Sequence, residues 1–305
     1  MNGSLGTLNG RMGTLTGRIG TLDGRRVDCM RIAMAQISSG SDPEKNLVTV
    51  AEQTAAAAAR GADLVIFPEA TMCRFGVPLG PVAQPLDGPW ATAVGQIAAE
   101  HQVTVVAGMF TPGDGDRVRN TLVIAGPDGQ IQGYNKIHLY DAFGFAESRT
   151  VEPGDRTVTF ESGAVTIGTA TCYDIRFPQL FTTLADRGAT LIVVPTSWGA
   201  GPGKLTQWQT LAAARALDSG CFVAAVGQAV PSDPAVAESN APTGIGHSIL
   251  AGPFGTVHAE LGETPELAVF DLDFDEVDRA RRAIAVLPNR RDINSLASTS
   301  ADAES

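Results

Sequence analysis

Cysteine is scarce in this sequence: four residues in 305, at positions 29, 73, 172 and 221. No two form a CxxC pair and none cluster, which excludes a zinc knuckle and a disulfide framework and leaves four thiols available for chemistry. No run approaches the roughly 18 uninterrupted apolar residues of a membrane span, and the N-terminus lacks the charged-then-apolar layout of a secretory signal. The expectation is therefore a soluble, cytoplasmic chain without a membrane partner. Positive charge is in deficit, 22 Lys and Arg against 33 Asp and Glu for a net charge of −11. A phosphate backbone would have to bind against that field, so nucleic acid is not an expected partner. What the chain does have is 44% hydrophobic residues, enough for the core of one large domain or two small ones and too many for a disordered or collagen-like polymer.

The N-terminus carries a repeat of seven: Gly6-Thr7-Leu8, Gly13-Thr14-Leu15 and Gly20-Thr21-Leu22, with Gly10-Arg11, Gly17-Arg18 and Gly24-Arg25 in step. Two glycines in every seven residues, with leucine the one large apolar residue common to all three repeats, are incompatible with a coiled-coil seam. Residues 1–29 are expected to be a disordered Gly-rich tail, a tether or interaction element, 30–292 one domain, and 293–305 a flexible C-terminal tail. Within the domain, strands expected at 30–37, 64–67, 103–110, 164–171, 190–194, 221–228 and 267–273 alternate with helices expected at 90–101, 177–187, 204–218 and 275–283. Hairpins are expected around Pro127-Asp128-Gly129 and Glu161-Ser162-Gly163. That alternation predicts an α/β fold with helices covering mixed sheet.

In layered α/β folds, ligands meet the protein beyond the carboxyl ends of strands. Strand 64–67 runs into Pro68-Glu69, the strand reaching Tyr134 into Asn135-Lys136, strand 164–171 into Cys172, and strand 190–194 into Pro195-Thr196-Ser197-Trp198. If those strands neighbour one another, a carboxylate, an amine and a thiol converge. A thiol of ordinary pKa, about 8.5, needs a base or a nearby cation to become a nucleophile. Glu69 would take the proton, and Lys136 would stabilise the oxyanion formed by attack on a carbonyl or nitrile carbon, with help from the backbone N–H of Tyr173. Taken singly, each residue also has a plainer reading: a helix cap or loop carboxylate, a surface lysine, an inert buried thiol.

The local sequences bear on that choice. Phe67-Pro68-Glu69, Asn135-Lys136-Ile137-His138-Leu139 and Cys172-Tyr173-Asp174-Ile175-Arg176-Phe177-Pro178 resemble, in order, the three catalytic segments of the nitrilase superfamily, the carbon-nitrogen hydrolases. Ala35-Gln36-Ile37, Glu147-Ser148, Pro153-Gly154, Arg215-Ala216 and Gly246-His247-Ser248 agree with the same pattern, so the resemblance spans 30 to about 292. It implies a four-layer α-β-β-α sandwich, Glu69 as general base, Lys136 as transition-state stabiliser and Cys172 as nucleophile. Glu147 would position the lysine or the substrate. It also implies pairing into a homodimer or higher homo-oligomer through helix 177–187, with no cofactor and no metal.

Tyr173-Asp174 after the cysteine disfavours nitriles and is most similar to the branch of omega-amidases and deaminated-glutathione amidases, which hydrolyse terminal amides of small carboxylate-bearing substrates. The resemblance thus implies a small-molecule amide substrate, with an N-carbamoyl amide, or a catalytically weak member retained for binding or assembly, as alternatives. Arg176 is a candidate for the substrate's distal carboxylate; the alternative is an internal pair with Asp174 or Glu147. The loop 137–146 is shorter than that branch leads one to expect and carries Tyr140, Phe143 and Phe145, which either wall the pocket or pack at a subunit interface. Trp198 either lines the opposite side or belongs to the core.

Overall fold

The computed structural model describes residues 19–22 and 25–292. The repeat up to residue 18 and the expected tail 293–305 lie outside the described residues. Its strands form two main sheets. In the first, Arg25–Gln36, Leu64–Ile66 and Thr104–Pro112 run parallel, and Val118–Ala125 and Ile131–Asn135 continue antiparallel. Glu266–Asp273 closes the far edge, antiparallel along Cys29 to Gln36. In the second, Thr159–Ser162 leads into the parallel trio Val165–Thr169, Leu191–Thr196 and Phe222–Gly227, followed by Ile249–Ala251 and Val257–Glu260.

The apolar runs in these strands have two faces to satisfy, and alternate residues serve each. Ile32, Met34, Leu64, Ile66, Leu191, Val193, Phe222 and Ala224 point into a common core between the sheets. Ala33, Ala35, Val65 and Phe67 instead meet the helices Pro43–Ala59 and Pro89–His101, through Val50, Ala57, Trp90 and Val94. Ile192, Val194, Val223 and Ala225 meet Pro178–Asp186 and Lys204–Ser219 through Phe181, Leu184, Trp208 and Ala212. Helix, sheet, sheet, helix: this is the four-layer α-β-β-α sandwich expected from the resemblance. Truncating a fully buried Leu64 to alanine in such a core costs about 2–5 kcal/mol.

The helices start where their sequences say they should. Asp42 accepts from the Glu44 and Lys45 amides at 3.0 and 3.3 Å, and Pro43, Pro89 and Pro178 each open a helix where no backbone donor is needed.

Two expectations change. The first strand begins at Arg25 rather than Met30 and pairs antiparallel with Ile19–Leu22, Ile19 opposite Asp28 and Leu22 opposite Arg25, where a disordered tail was expected. Residues 23 and 24, between the two strands, lie outside the described residues. In addition, the strands leading to Glu69 and Lys136 are not neighbours, because Thr104–Pro112 and Val118–Ala125 lie between them, and the strand leading to Cys172 belongs to the other sheet. The three ends meet because the two sheets stack face to face.

Candidate active site

Glu69 follows Leu64–Ile66 and is wholly buried. Its Oε1 accepts from Lys136 Nζ at 3.0 Å and from Asn120 Nδ2 at 2.7 Å, and its Oε2 from the Ser197 amide at 2.8 Å. The peptide after it is held tightly: Ala70 has φ 59, and a Cβ on Gly108 of the neighbouring strand would stand 2.4 Å from the Ala70 nitrogen. Burial raises the Glu69 pKa above the ordinary carboxylate value, against the pull of the Lys136 charge and with a push from Glu147.

Lys136 follows Ile131–Asn135 and is equally enclosed. Besides Glu69, its amine donates to both Glu147 oxygens, at 3.1 and 2.8 Å. Burial alone would push the lysine pKa down; the two carboxylates outweigh it, and the amine is held protonated well above its ordinary range. Glu147 in turn accepts from Asn120 Nδ2 at 3.1 Å and from the Tyr140 amide at 2.7 Å. Gly154, one of the flanking glycines, donates its N–H to the Lys136 carbonyl at 2.7 Å, and a Cβ there would collide with the Asn135 carbonyl oxygen at 2.1 Å.

Cys172 opens the 3₁₀ turn Cys172–Arg176 with φ 46, a left-handed conformation that a non-glycine residue adopts only under constraint. The constraint is Asp174, which caps the turn by accepting from the Thr171 amide at 2.9 Å and also accepts from the Tyr134 hydroxyl at 2.6 Å and the His138 amide at 2.9 Å. Its Oδ1 lies 2.7 Å from His138 Nδ1, and the His138 ring stacks on Phe177. Tyr134 and His138 flank Lys136 in sequence, so a single buried carboxylate ties the lysine segment to the cysteine turn. The Cys172 thiol lies 3.7 Å from the Ser197 carbonyl. Burial pushes its pKa well above the ordinary thiol value, Glu69 pushes the same way, and Lys136 opposes them.

All seven candidate residues, Glu69, Lys136, Glu147, Cys172, Tyr173, Arg176 and Trp198, line one cavity. Tyr140 and Phe145 wall it, while Phe143, 67% exposed, sits at the turn of the small hairpin Asp141–Ala142 and Phe145–Ala146. Trp198 serves both of its expected roles: it is buried against Trp208, yet borders the cavity. Arg176 pairs with neither Asp174 nor Glu147, whose oxygens are taken as described. Its Nη2 donates to Gln207 at 2.6 Å, and its Nε is buried with no hydrogen-bond partner. Cys73 and Cys221 are buried elsewhere, as small core residues.

Asn120, Lys204 and Gln207 escaped the sequence reading. Asn120 carried a faint signal, since asparagine is depleted inside strands and this one lies within Val118–Ala125. Lys204 also carried one, as a cation at the N-terminus of a helix, where the dipole disfavours it.

The family model for carbon-nitrogen hydrolases matches residues 31–282. A hydrolase of Mycobacterium tuberculosis is 57% identical over 269 residues, covering 86% of this chain and 96% of that protein. The deaminated glutathione amidase of Escherichia coli O157:H7 is 33% identical over 266 residues, covering 86% and 97%. Among solved structures, Nit3 of Saccharomyces cerevisiae, a member of branch 10 of the nitrilase superfamily, superimposes with a TM-score of 0.75 at 26% identity, covering 86% of this chain and 97% of that one.

Proposed function

This chain belongs to the carbon-nitrogen hydrolase family, and from that premise we propose that it is a cysteine-dependent amidase converting a small carboxamide to a carboxylic acid and ammonia through a thioester. The observation that carries this reading is that a thiol, a carboxylate and an amine from two different sheets front one cavity, with the thiol and the carboxylate meeting on opposite sides of Ser197.

The properties of the cavity support a role for each residue in this reaction. The raised thiol pKa keeps Cys172 neutral at rest, so sulfur becomes nucleophilic only as its proton leaves for Glu69. Glu69 suits that task because burial has already raised its own proton affinity. As the S–C bond forms, the carbonyl π electrons move onto oxygen, where the cationic Lys136 amine and the Tyr173 N–H would stabilise them. Glu69 returns the proton to the nitrogen, the C–N bond breaks and ammonia departs, leaving the acyl group on sulfur. Water then attacks the thioester with Glu69 again as base, releasing the acid and restoring the thiol. Glu147 and Asn120 are positioning residues, aiming the lysine amine and the Glu69 carboxylate. The name of the Escherichia coli relative supports an amide of a carboxylate-bearing acid, and the Arg176 guanidinium, without a carboxylate partner among the described residues, is the group to receive that carboxylate.

Ammonia release by the wild type and Cys172→Ala tests the proposal across dicarboxylic monoamides, keto-acid amides, carbamoyl amino acids, aliphatic amides and nitriles. The expected result is turnover of a carboxylate-bearing amide that disappears in the variant. Silence across the panel, with Cys172 inert to iodoacetamide, contradicts it.

A further inference from the structure

Lys204 is the first residue of the helix Lys204–Ser219, and only 8% of its surface is exposed. The positive end of a helix dipole is an unfavourable place for an ammonium group, and burial makes it worse. A structural lysine would answer both costs with a carboxylate. Among the described residues Lys204 has none: its amine donates to the Tyr140 hydroxyl at 3.1 Å and lies over the Phe143 ring, 3.4 Å from the centroid.

Arg176 faces the same surroundings. Its guanidinium lies 6.0 Å from the Phe143 centroid and 5.1 Å from that of Trp198, the ring that Lys204 also approaches at 5.9 Å. Both side chains line the cavity that holds Cys172. Burial first, and then repulsion from Arg176, hold the Lys204 amine below its ordinary pKa. Two like charges, walled by aromatic rings and short of counterions, sit in a protein whose overall charge is −11. Arg176 Nε, buried and without a hydrogen-bond acceptor, marks where one is missing. Lys136 lacks no counterion, because Glu69 and Glu147 already neutralise its charge.

We propose that Lys204 and Arg176 form a two-cation site that clamps the distal carboxylate of the substrate, one oxygen to each side chain, so that the protein selects monoamides of short dicarboxylic acids over neutral amides. The aromatic rings that face the two cations hold them beside the cavity. Lys204 is then a specificity-determining residue. The inference rests on the amidase reading for its substrate, but the anion site can be read without turnover.

The experiment compares the wild type with Lys204→Met and Lys204→Arg on glutaramate and hexanamide, amides of similar length with and without the carboxylate. The ratio of kcat/KM for glutaramate over hexanamide is expected to fall about 10- to 100-fold in Lys204→Met, mainly through KM, and to stay within a few-fold in Lys204→Arg. An unchanged ratio in Lys204→Met, whether both rates fall or neither does, overturns the clamp, as does a wild type that prefers hexanamide. A second readout covers a wild type that turns over neither amide: glutarate should slow alkylation of Cys172 by iodoacetamide, with a half-protecting concentration at least about 10-fold higher in Lys204→Met. Protection without turnover would count against the amidase reading and keep the anion site. Turnover of glutaramate without protection by glutarate, or equal protection in the variant, would count against the site alone.

Discussion

The Tyr134 hydroxyl donates to Asp174 Oδ2 at 2.6 Å across the interior between the two sheets. Tyr134 belongs to the strand that delivers Lys136, and Asp174 caps the turn that begins at Cys172. This bond makes the separation of amine and thiol a property of the packed sandwich rather than of two independent loops. Tyr134→Phe keeps the ring in the core and removes only the donor, leaving a buried carboxylate one partner short. The expected loss is about 1.5–3 kcal/mol in urea unfolding, accompanied by a lower kcat at nearly unchanged KM. Full stability in the variant would mean that the bond contributes nothing to holding the turn.

Glu147 and Lys136 give a second prediction. The lysine is enclosed between two carboxylates, and removing the charge of one leaves it half compensated in a dry site. Glu147→Gln should destabilise the protein by about 3 kcal/mol and lower kcat by about 100-fold, because the amine is no longer aimed at the developing oxyanion. Stability comes from equilibrium unfolding and kcat from ammonia release. A variant of wild-type stability and lowered kcat would assign Glu147 a direct chemical role instead of a positioning one.

The pKa directions around the cavity predict how the fold responds to alkali. Tyr134 is raised well above 10.0 by burial and by Asp174, and Cys172 well above 9.0 by burial and Glu69; the two carboxylates likewise raise Lys136 against the effect of its burial. Each group keeps its proton in the folded state after the unfolded chain has lost it. Their stabilisation is therefore complete below the unfolded pKa values and declines as pH rises above about 9, by about 1.4 kcal/mol per pH unit for each group whose proton is retained. Urea midpoints followed from pH 7 to 11 should fall, and Cys172→Ala should fall less steeply between pH 9 and 10. Parallel curves for the two proteins would mean that the thiol titrates alike in both states.

Much of this arrangement is legible in the sequence, and the illegible part has a physical pattern. Glu69, Lys136 and Cys172 stand at the ends of apolar runs, and a strand end names the residues beyond it without any knowledge of neighbours. The helices Pro89–His101 and Lys204–Ser219 fall within a residue or so of their expected spans because Pro and Gly punctuate them. What could not be read is which ends face each other, since that depends on two sheets stacking. Asn120 is a mid-strand residue whose purpose appears only once Glu69 and Glu147 flank it. Lys204 stands out in the sequence only as a cation at a helix N-terminus, and its significance appears only once no carboxylate partner is found for it among the described residues. The antiparallel pairing of Ile19–Leu22 with the strand that starts at Arg25 was hidden by the glycine repeat.

Glu69 separates proton transfer from nucleophilicity. In Glu69→Gln the thiol loses a negative neighbour that raises its pKa while the lysine charge becomes less neutralised, so the thiolate forms more readily. The pH profile of Cys172 alkylation by iodoacetamide should therefore move to lower pH, while amide turnover falls by about 10²–10⁴-fold for want of a base and of an acid for the leaving nitrogen. Loss of alkylation together with turnover would mean that Glu69 holds the cysteine in place rather than moving its proton.

A covalent acyl-enzyme on Cys172 is detected by acid quenching during turnover of a carboxylate-bearing amide, followed by intact mass and peptide mapping. The expected result is a fraction of protein heavier by one acyl group, located on the peptide containing Cys172 and discharged to a hydroxamate when hydroxylamine is present. Steady hydrolysis with no acylated peptide and no hydroxamate, or turnover that persists in Cys172→Ala, would contradict it.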